Sequence, residues 1–345
     1  MRRTLALCAA AAALRAAPAA ADPMDLDLGR LGAPAASVWL SIDAQCRAAG
    51  LPACQGTPLA AGQASLLARE STQRYRLLVL QLGLGITSSL LDDATTGGFA
   101  GFDVSLEGGA TAIRHPMDKA AAVSPFGPSL SVWPVHGDDP SRLWVAALRV
   151  RKSLPFSFMA GGRLIYVNQS QMAAAQVELK WAIQESYVPA WLPDLAVRGA
   201  YTRLFGQRDL ELNVIDLDAI VSKRFAVAGT VRLAPYAVFR ISAVGAKTPP
   251  IDFAPTASCS GGTCPFPDQR TAAEALATTV PFPDMKFWDN SIYRGALGGK
   301  LNYGALALAA EVTYQPGKTY QTRDKLAAVL LPDSLGVSVR AGFDF

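Results

Sequence analysis

The twelve residues AAAQVELKWAIQ, positions 173–184, alternate between two kinds of side chain. One face of this stretch holds Ala173, Ala175, Val177, Leu179, Trp181 and Ile183. The other face carries Gln176, Glu178, Lys180 and Gln184. Because successive side chains of a β-strand point to opposite sides of the sheet, this period of two predicts a strand with one apolar and one polar face.

The same alternation recurs from residue 98 to the end of the chain and predicts ten strands. Their expected bounds are 99–113, 142–153, 157–168, 172–186, 193–205, 209–223, 228–243, 288–301, 304–316 and 335–345. Strands of soluble sheets usually have about 5 to 6 residues, whereas these have 11 to 16. A tilted strand needs roughly 9 to 11 residues to cross a bilayer. We therefore expect an all-β fold, an antiparallel transmembrane β-barrel. The alternation shifts phase between Val214 and Ile215, which predicts a bulge.

The connections between the predicted strands also alternate in length. Long links at 114–141, 244–287 and 317–334, along with short links at 168–171 and 206–208, are expected at one end of the barrel. Short turns near 153–156, 187–193, 223–227 and 302–304 are expected at the other end. Short periplasmic turns and longer outer loops are typical of membrane barrels. If the last strand ends in the periplasm, every long link falls on the outer side.

The residues before 98 follow a different pattern. Residues 1–21 combine a basic start, an apolar run and small residues before Asp22, which predicts a signal peptide. Residues 22–97 are expected to form a periplasmic or luminal helical segment that acts as a plug. Within it, RYRLLVLQLGLGITSSLL (74–91) fits either a helix or a strand. Single-chain bacterial barrels usually have an even strand number, so we favour a helix and ten strands, with twelve strands as the alternative.

Composition and cysteine spacing limit the classes of function. The chain has 345 residues, of which 17% are charged, and a net charge of only +4 without a basic run. This balance argues against nucleic acid as a partner. In an exported chain, the close pairs Cys46 with Cys54 and Cys259 with Cys264 predict two disulfides. Metal binding is the alternative, but no histidine lies near either pair, and we expect no cofactor.

The last ten residues, GVSVRAGFDF (336–345), form an alternating stretch that ends on an aromatic residue. This ending resembles the assembly signal of Gram-negative outer-membrane β-barrel proteins. The resemblance implies location in the outer membrane, contact with its lipid, and recognition of Phe343 and Phe345 by the barrel assembly machinery. The layout of residues 22–97 before a barrel is also similar to that of long-chain fatty acid transporters, although no motif supports that likeness and the strands are too few.

The polar faces of the predicted strands point to the lumen. Their charged residues are Asp103, Glu107, Arg149, Arg151, Arg163, Glu178, Lys180, Arg198, Glu211, Asp216, Asp218, Arg232, Arg240, Arg294, Lys300, Glu311, Arg340 and Asp344. Buried charges must be paired or hydrated, because an unpaired buried ion costs several kcal/mol. The set can therefore form a polar conduit whose arginines favour anions. It can also form an ion-pair network that fills a narrow barrel.

These features support a narrow channel or transporter for small or amphipathic solutes. The alternative is a non-transport barrel that serves as a structural or surface-binding protein. A third reading is a hydrolase at the outer rim, because His136 lies beside Asp138, Asp139 and Ser141, and His115 lies in the same link. No nucleophile-elbow pattern and no histidine cluster accompany them, so we expect a protein that is not an enzyme.

Overall fold

Ten long antiparallel strands dominate the computed structural model. It describes residues 22–48, 50, 55–87, 89–98, 100–114, 133–135, 140–184, 192–227, 231–254, 272–321 and 328–345. The long strands are β1 Phe102–Ala112, β2 Arg142–Leu154, β3 Phe158–Val167, β4 Ala173–Ala182, β5 Asp194–Phe205, β6 Glu211–Ser222, β7 Val231–Lys247, β8 Ser291–Tyr303, β9 Leu306–Gln315 and β10 Ser334–Asp344. Short strands cover Phe225–Val227, Ile251–Asp252, Thr279–Val280, Lys318–Gln321 and Ala328–Leu331. The prediction of ten barrel strands is confirmed.

The sheet closes on itself. Each long strand pairs with its neighbours in the chain, and β1 pairs with β10 through a register that runs from Asp103↔Asp344 to Thr111↔Gly336. A path that starts at Leu106 and steps from each residue to its register partner on the next strand can be followed around the barrel in both directions. It reaches β7 at Gly245 in one direction and at Leu233 in the other. This offset is the stagger that a closed barrel of tilted strands requires.

The outward face of the barrel is apolar and exposed. Leu106 is 67% exposed, Leu297 69% and Val177 61%. Aromatic residues lie toward both ends of this face: Trp144, Tyr166, Tyr201, Phe205, Tyr293 and Tyr314 at one end, and Phe156, Trp181, Phe225, Tyr303, Phe343 and Phe345 at the other. An apolar band between two aromatic girdles is the surface that a barrel presents to lipid.

The two ends of the barrel differ, and we name them by their connections. The turn end holds the β2–β3 and β8–β9 turns and the chain terminus, where Phe345 exchanges backbone hydrogen bonds with Phe102 at 3.0 and 2.8 Å. The loop end holds the links from β1 to β2, from β7 to β8 and from β9 to β10. Phe343 and Phe345 stack with ring centroids 6.2 Å apart, beside the seam where β1 and β10 close the barrel.

Helices form the segment before β1. They are α1 Ala36–Ala48 and α2 Ala61–Ile86, and a 3-10 turn at Leu28–Leu31 precedes them. The β7–β8 link contains a third helix, α3 Ala272–Ala277, and a 3-10 turn at Phe287–Asp289. The strand alternative for residues 74–91, and with it the twelve-stranded barrel, is therefore wrong. Among the described residues, no helix is both long enough and apolar enough to cross a membrane.

The second half of α2 enters the barrel at the loop end. From Leu77 to Ile86 every side chain of α2 is buried, as expected for a helix that is apolar on all sides. It packs against inward residues at the loop ends of the strands, among them Val145, Ile165, Leu204, Leu212, Val214, Val244 and Ile292. The helix therefore closes this mouth with apolar contacts.

The bulge predicted between Val214 and Ile215 is absent. β6 pairs without interruption with both β5 and β7, and its burial alternates regularly from Glu211 to Ser222. Leu212 and Val214 point inward, although they are apolar, because they contact α2. The inward residues of β6 change here from apolar to polar, and in the sequence this change looks the same as a shift in the phase of the alternation.

Substitution of Gly83 should disturb the contact between α2 and the barrel wall. A Cβ atom there would lie 3.3 Å from both methyl groups of Val244. We expect Gly83→Leu to lower the free energy of unfolding by about 1–3 kcal/mol, since extra atoms in a packed interior force displacements. Urea unfolding in detergent micelles measures this change. Gly62→Leu is the matched control, because nothing lies within 4 Å of a Cβ at that position. Equal stability of the two variants would contradict this packing.

Candidate functional site

Residues 89–98, which we call the luminal segment, fill the space between α2 and the turn end. The backbone N–H of Ala94 donates to Ser222 Oγ at 2.9 Å, and that of Gly97 donates to Ser153 Oγ at 3.1 Å. Ser222 ends β6 and Ser153 lies near the end of β2, both at the turn end. The chain therefore runs along the lumen from the loop end to the turn end before β1 begins.

Asp92 holds this segment at the centre of the barrel. Asp92 is 1% exposed, and its carboxylate meets four cations, each from a different strand. The distances are 2.5 Å to Lys180 Nζ, 2.9 Å to Lys300 Nζ, 3.0 Å to Arg151 Nη1 and 3.7 Å to Arg340 Nη1. Since a buried charge needs compensation by its neighbours, each of the four strands is tied to the luminal segment through one carboxylate.

Backbone groups of the luminal segment are bound as well. The N–H groups of Leu90 and Leu91 donate to the two carboxylate oxygens of Glu311 at 3.2 and 3.0 Å. Arg149 Nη1 donates to the carbonyl of Leu90 at 2.7 Å, and Arg340 Nη1 donates to that of Leu91 at 3.1 Å. An irregular segment inside a barrel has no ladder partners, so charged side chains of the wall satisfy its polar groups.

The end of α2 is fixed by Arg294 of β8. Its Nη1 donates to the carbonyl oxygens of Leu84 and Thr87 at 3.2 and 2.9 Å. Its Nη2 donates to Thr87 Oγ1 at 2.7 Å. The last carbonyls of a helix carry a partial negative charge. A buried arginine at this position therefore joins the helix to the luminal segment and to the wall.

The charged residues of the wall also pair with one another. Three carboxylates are each shared by two or more arginines: Glu107 by Arg149 and Arg163, Glu178 by Arg149, Arg151 and Arg198, and Asp218 by Arg198 and Arg240. The Nε–Oδ1 distance from Arg240 to Asp218 is 2.5 Å. Arg340 also pairs with Asp103 of β1. The network links β1 through β7 along the lumen wall.

The structure places most of the charged residues assigned to the lumen on inward faces. Arg149, Arg151, Arg163, Glu178, Lys180, Arg198, Asp216, Asp218, Arg240, Arg294, Glu311 and Arg340 are buried, and Lys300 is partly buried. Arg232 lies on the inward side of β7 but is exposed at the turn end. Glu211 does not line the lumen. Without the bulge it falls on the outward side of β6, where it is exposed.

Sequence reasoning missed the residues of the luminal segment itself. Asp92 and Asp93 lie in the run LLDDATTGG (90–98), which has neither helical nor strand periodicity. Two adjacent carboxylates before a glycine pair are the available signal, and this composition is also typical of ordinary turns. Their burial could be inferred only by knowing that Lys180 and Lys300 would face the same point in the lumen.

A cavity of about 380 Å³ opens beneath the luminal segment at the turn end. Asp92, Lys300, Arg232 and Asp344 are among the residues that line it. The cavity stops at Asp92, so it is a vestibule of the turn end and does not reach the loop end. In the part of the chain that the structure describes, no three His, Cys, Asp or Glu side chains are grouped to hold a metal ion.

Several predicted features lie outside the described residues. They are the signal peptide at 1–21, the loop histidines His115 and His136, and the cysteines Cys54, Cys259 and Cys264. Cys46 is described and is buried on α1. Both disulfides and the rim-hydrolase reading therefore stay predictions.

Comparison with known proteins identifies no family model and no curated protein that matches the chain. One solved structure that aligns is Ail, the attachment invasion locus protein of Yersinia pestis. The alignment has 9% identity and a TM-score of 0.23, and it covers 72% of this chain and 99% of Ail. Neisserial surface protein A aligns with 11% identity, coverages of 72% and 96% and a TM-score of 0.23. The outer membrane enzyme PagL aligns with 12% identity, coverages of 70% and 98% and a TM-score of 0.26. At these scores the alignments carry no argument about activity.

Proposed function

We propose that this outer-membrane β-barrel is a closed anchor that holds a helical cap at the cell surface. The luminal segment is the observation that carries the proposal, because it fills the barrel with the chain's own residues and is bound by four strands through Asp92. This arrangement supports a structural or surface-binding protein over a narrow channel or transporter. A channel would require the luminal segment to leave its buried contacts.

The cap consists of α1, the first half of α2, and α3 of the β7–β8 link. Its small core includes Trp39, Ile42, Ala64 and Ala68, and Trp39 Nε1 donates to the carbonyl of Ala33 at 2.9 Å. Gln45 Nε2 on α1 also donates to the carbonyl of Glu274 on α3 at 3.1 Å. The cap therefore joins residues before the barrel to a long loop-end link.

A local ion pair stabilises the cap. Asp43 accepts from Arg47 Nε at 3.0 and 2.9 Å and from the backbone N–H of Leu59 at 3.1 Å. The hydrogen bond from Arg47 lowers the pKa of the Asp43 carboxyl below its usual value. A lowered pKa keeps the carboxylate charged in mild acid, so this contribution to stability is lost only as the pH falls through that lowered value.

The orientation typical of such barrels supports a position of this cap outside the cell. Short turns of such barrels face the periplasm and long loops face outward. The segment Asp22–Leu26 contacts the loop end, where the backbone N–H of Met24 donates to the carbonyl of Gln169 at 2.9 Å. The proposal therefore puts the cap on the cell surface, in contrast to the periplasmic position considered from sequence, while the luminal segment returns the chain to the periplasmic end.

Epitope accessibility on intact cells tests this orientation. An epitope inserted between Thr57 and Pro58, next to Gly56, which has open space around it, should bind antibody without permeabilisation. The control is the same epitope between Pro155 and Phe156 in the β2–β3 turn, where Phe156 is 88% exposed. That epitope should bind antibody only after the outer membrane is permeabilised. The reverse pattern would refute the proposed display of the cap.

A further inference from the structure

A groove crosses the outward face of the barrel from β1 to β5. It has a volume of about 790 Å³, and its lining includes Leu106, Ala146, Leu148, Leu164, Tyr166, Ala173, Ala175 and Phe205. Along β4 the outward residues are small at Ala173 and Ala175 and large from Val177 to Trp181. The small outward residues of β4 that line the groove therefore lie in the loop-end half of the lipid-facing surface.

An arginine lies beside this groove. Arg203 of β5 is exposed on the outward face and pairs in register with Ala175, which lines the groove. Its guanidinium carbon lies 5.8 Å from the centre of the Phe205 ring. Within the described residues, no carboxylate lies within ion-pair distance of Arg203. An uncompensated arginine on a lipid-facing surface is costly unless it meets an anionic group.

A second polar group lies beside Arg203. Asn213 of β6 is its register partner, and the Asn213 side-chain oxygen accepts from the hydroxyl of Tyr201 at 2.7 Å. This bond leaves the amide N–H groups of Asn213 as donors next to the guanidinium. Guanidinium and amide donors placed together above an apolar groove match a phosphate attached to an acyl chain.

We propose that this groove binds an anionic lipid of the outer membrane that carries a phosphate and acyl chains. The phosphate lies against Arg203 and Asn213, and one acyl chain lies over Ala173 and Ala175. Because small residues can also mark contacts between membrane proteins, a second copy is the competing occupant. Among the described residues, no ion pair joins Arg203 to a carboxylate of the outward face, and the exposed Glu211 has the basic Lys247 as its register partner. Charge complementarity therefore favours the lipid.

Native mass spectrometry of the full chain released from detergent tests the proposal. The probes are phosphatidylglycerol and phosphatidylcholine with identical acyl chains, and inorganic phosphate. We expect a single phosphatidylglycerol adduct at a concentration at least tenfold lower than for phosphatidylcholine, and no retained phosphate. Arg203→Gln should remove this tenfold preference. Ala175→Phe, which fills the groove, should reduce both lipid adducts at least fivefold.

Arg232→Gln is the matched control, since Arg232 is an exposed arginine at the turn end, and it should retain the preference. Both groove variants alter outward side chains, and heat-modifiable gel migration verifies that they fold. A preference that survives Arg203→Gln would overturn the proposal. So would retention of inorganic phosphate alone, or a chain that is dimeric by mass and becomes monomeric in Ala175→Phe.

Discussion

Asp92→Asn should lower the free energy of unfolding by about 3–5 kcal/mol, because removal of one partner from a buried ion pair leaves the other charge uncompensated. The carboxylate meets Lys180, Lys300 and Arg151 within 3.0 Å. A neutral amide of almost the same size keeps the packing and removes only the charge. Urea unfolding of the folded protein in detergent micelles, followed by heat-modifiable gel migration, measures the loss.

Asp194→Asn provides the control for this variant. Asp194 pairs with Arg224 at 3.6 Å near the turn end, where both side chains are partly exposed. Such pairs contribute about 0–1 kcal/mol, so the control should unfold close to the parent protein. Asp92→Asn combined with Lys180→Met should lose less stability than the sum of the two single variants, by about 0.5–3 kcal/mol, since the two residues interact directly. Equal losses in Asp92→Asn and Asp194→Asn would show that Asp92 does not hold the luminal segment.

The barrel could be predicted from sequence because its signal is local and repeated. AAAQVELKWAIQ has one apolar face for lipid and one polar face for the lumen, and β4 shows that alternation residue by residue. Wherever the lumen is polar, the period of two identifies the inward side chains. The same rule failed near Val214, where the lumen is apolar because α2 occupies it.

A luminal position for residues 22–97 was one of the two expected from sequence, but the contacts of the luminal segment were not foreseen, because its ion-pair partners lie far along the chain. Asp92 meets Lys300 and Arg340, which lie more than 200 residues later. No periodicity marks a segment that is neither helix nor strand. The end of the barrel that the cap covers could not be predicted either. The spacing of apolar residues in α1 predicts a helix but gives no information about where that helix packs.

Removal of residues 22–97 should convert a closed barrel into a conducting one. The deletion takes away α2, which seals the loop end, together with the luminal segment and its two carboxylates, Asp92 and Asp93. The freed cations Lys180, Lys300 and Arg151 would then be hydrated, because water must enter to solvate charges that have lost their partners. The vestibule at the turn end would become continuous with the loop end.

A second variant keeps the full chain and so separates opening of the lumen from failure to fold. Asp92→Asn with Asp93→Asn retains α2 but weakens the hold on the luminal segment, and it should show intermittent openings. Heat-modifiable migration establishes that each variant is folded before any current is measured. A folded variant that carries no current then counts against opening of the lumen. The current of a variant that does not fold is not interpreted.

Planar-bilayer recording of the intact chain beside the chain lacking residues 22–97 is the most direct test of a barrel sealed by its own N-terminal segment. We expect no conductance above the bare bilayer from the intact chain and a steady conductance from the deletion. Equal conductance from both proteins would contradict the account, because the lumen would then be open with the segment in place. Silence from both folded proteins would contradict it too, since the ion-pair network of the wall alone would then close the barrel.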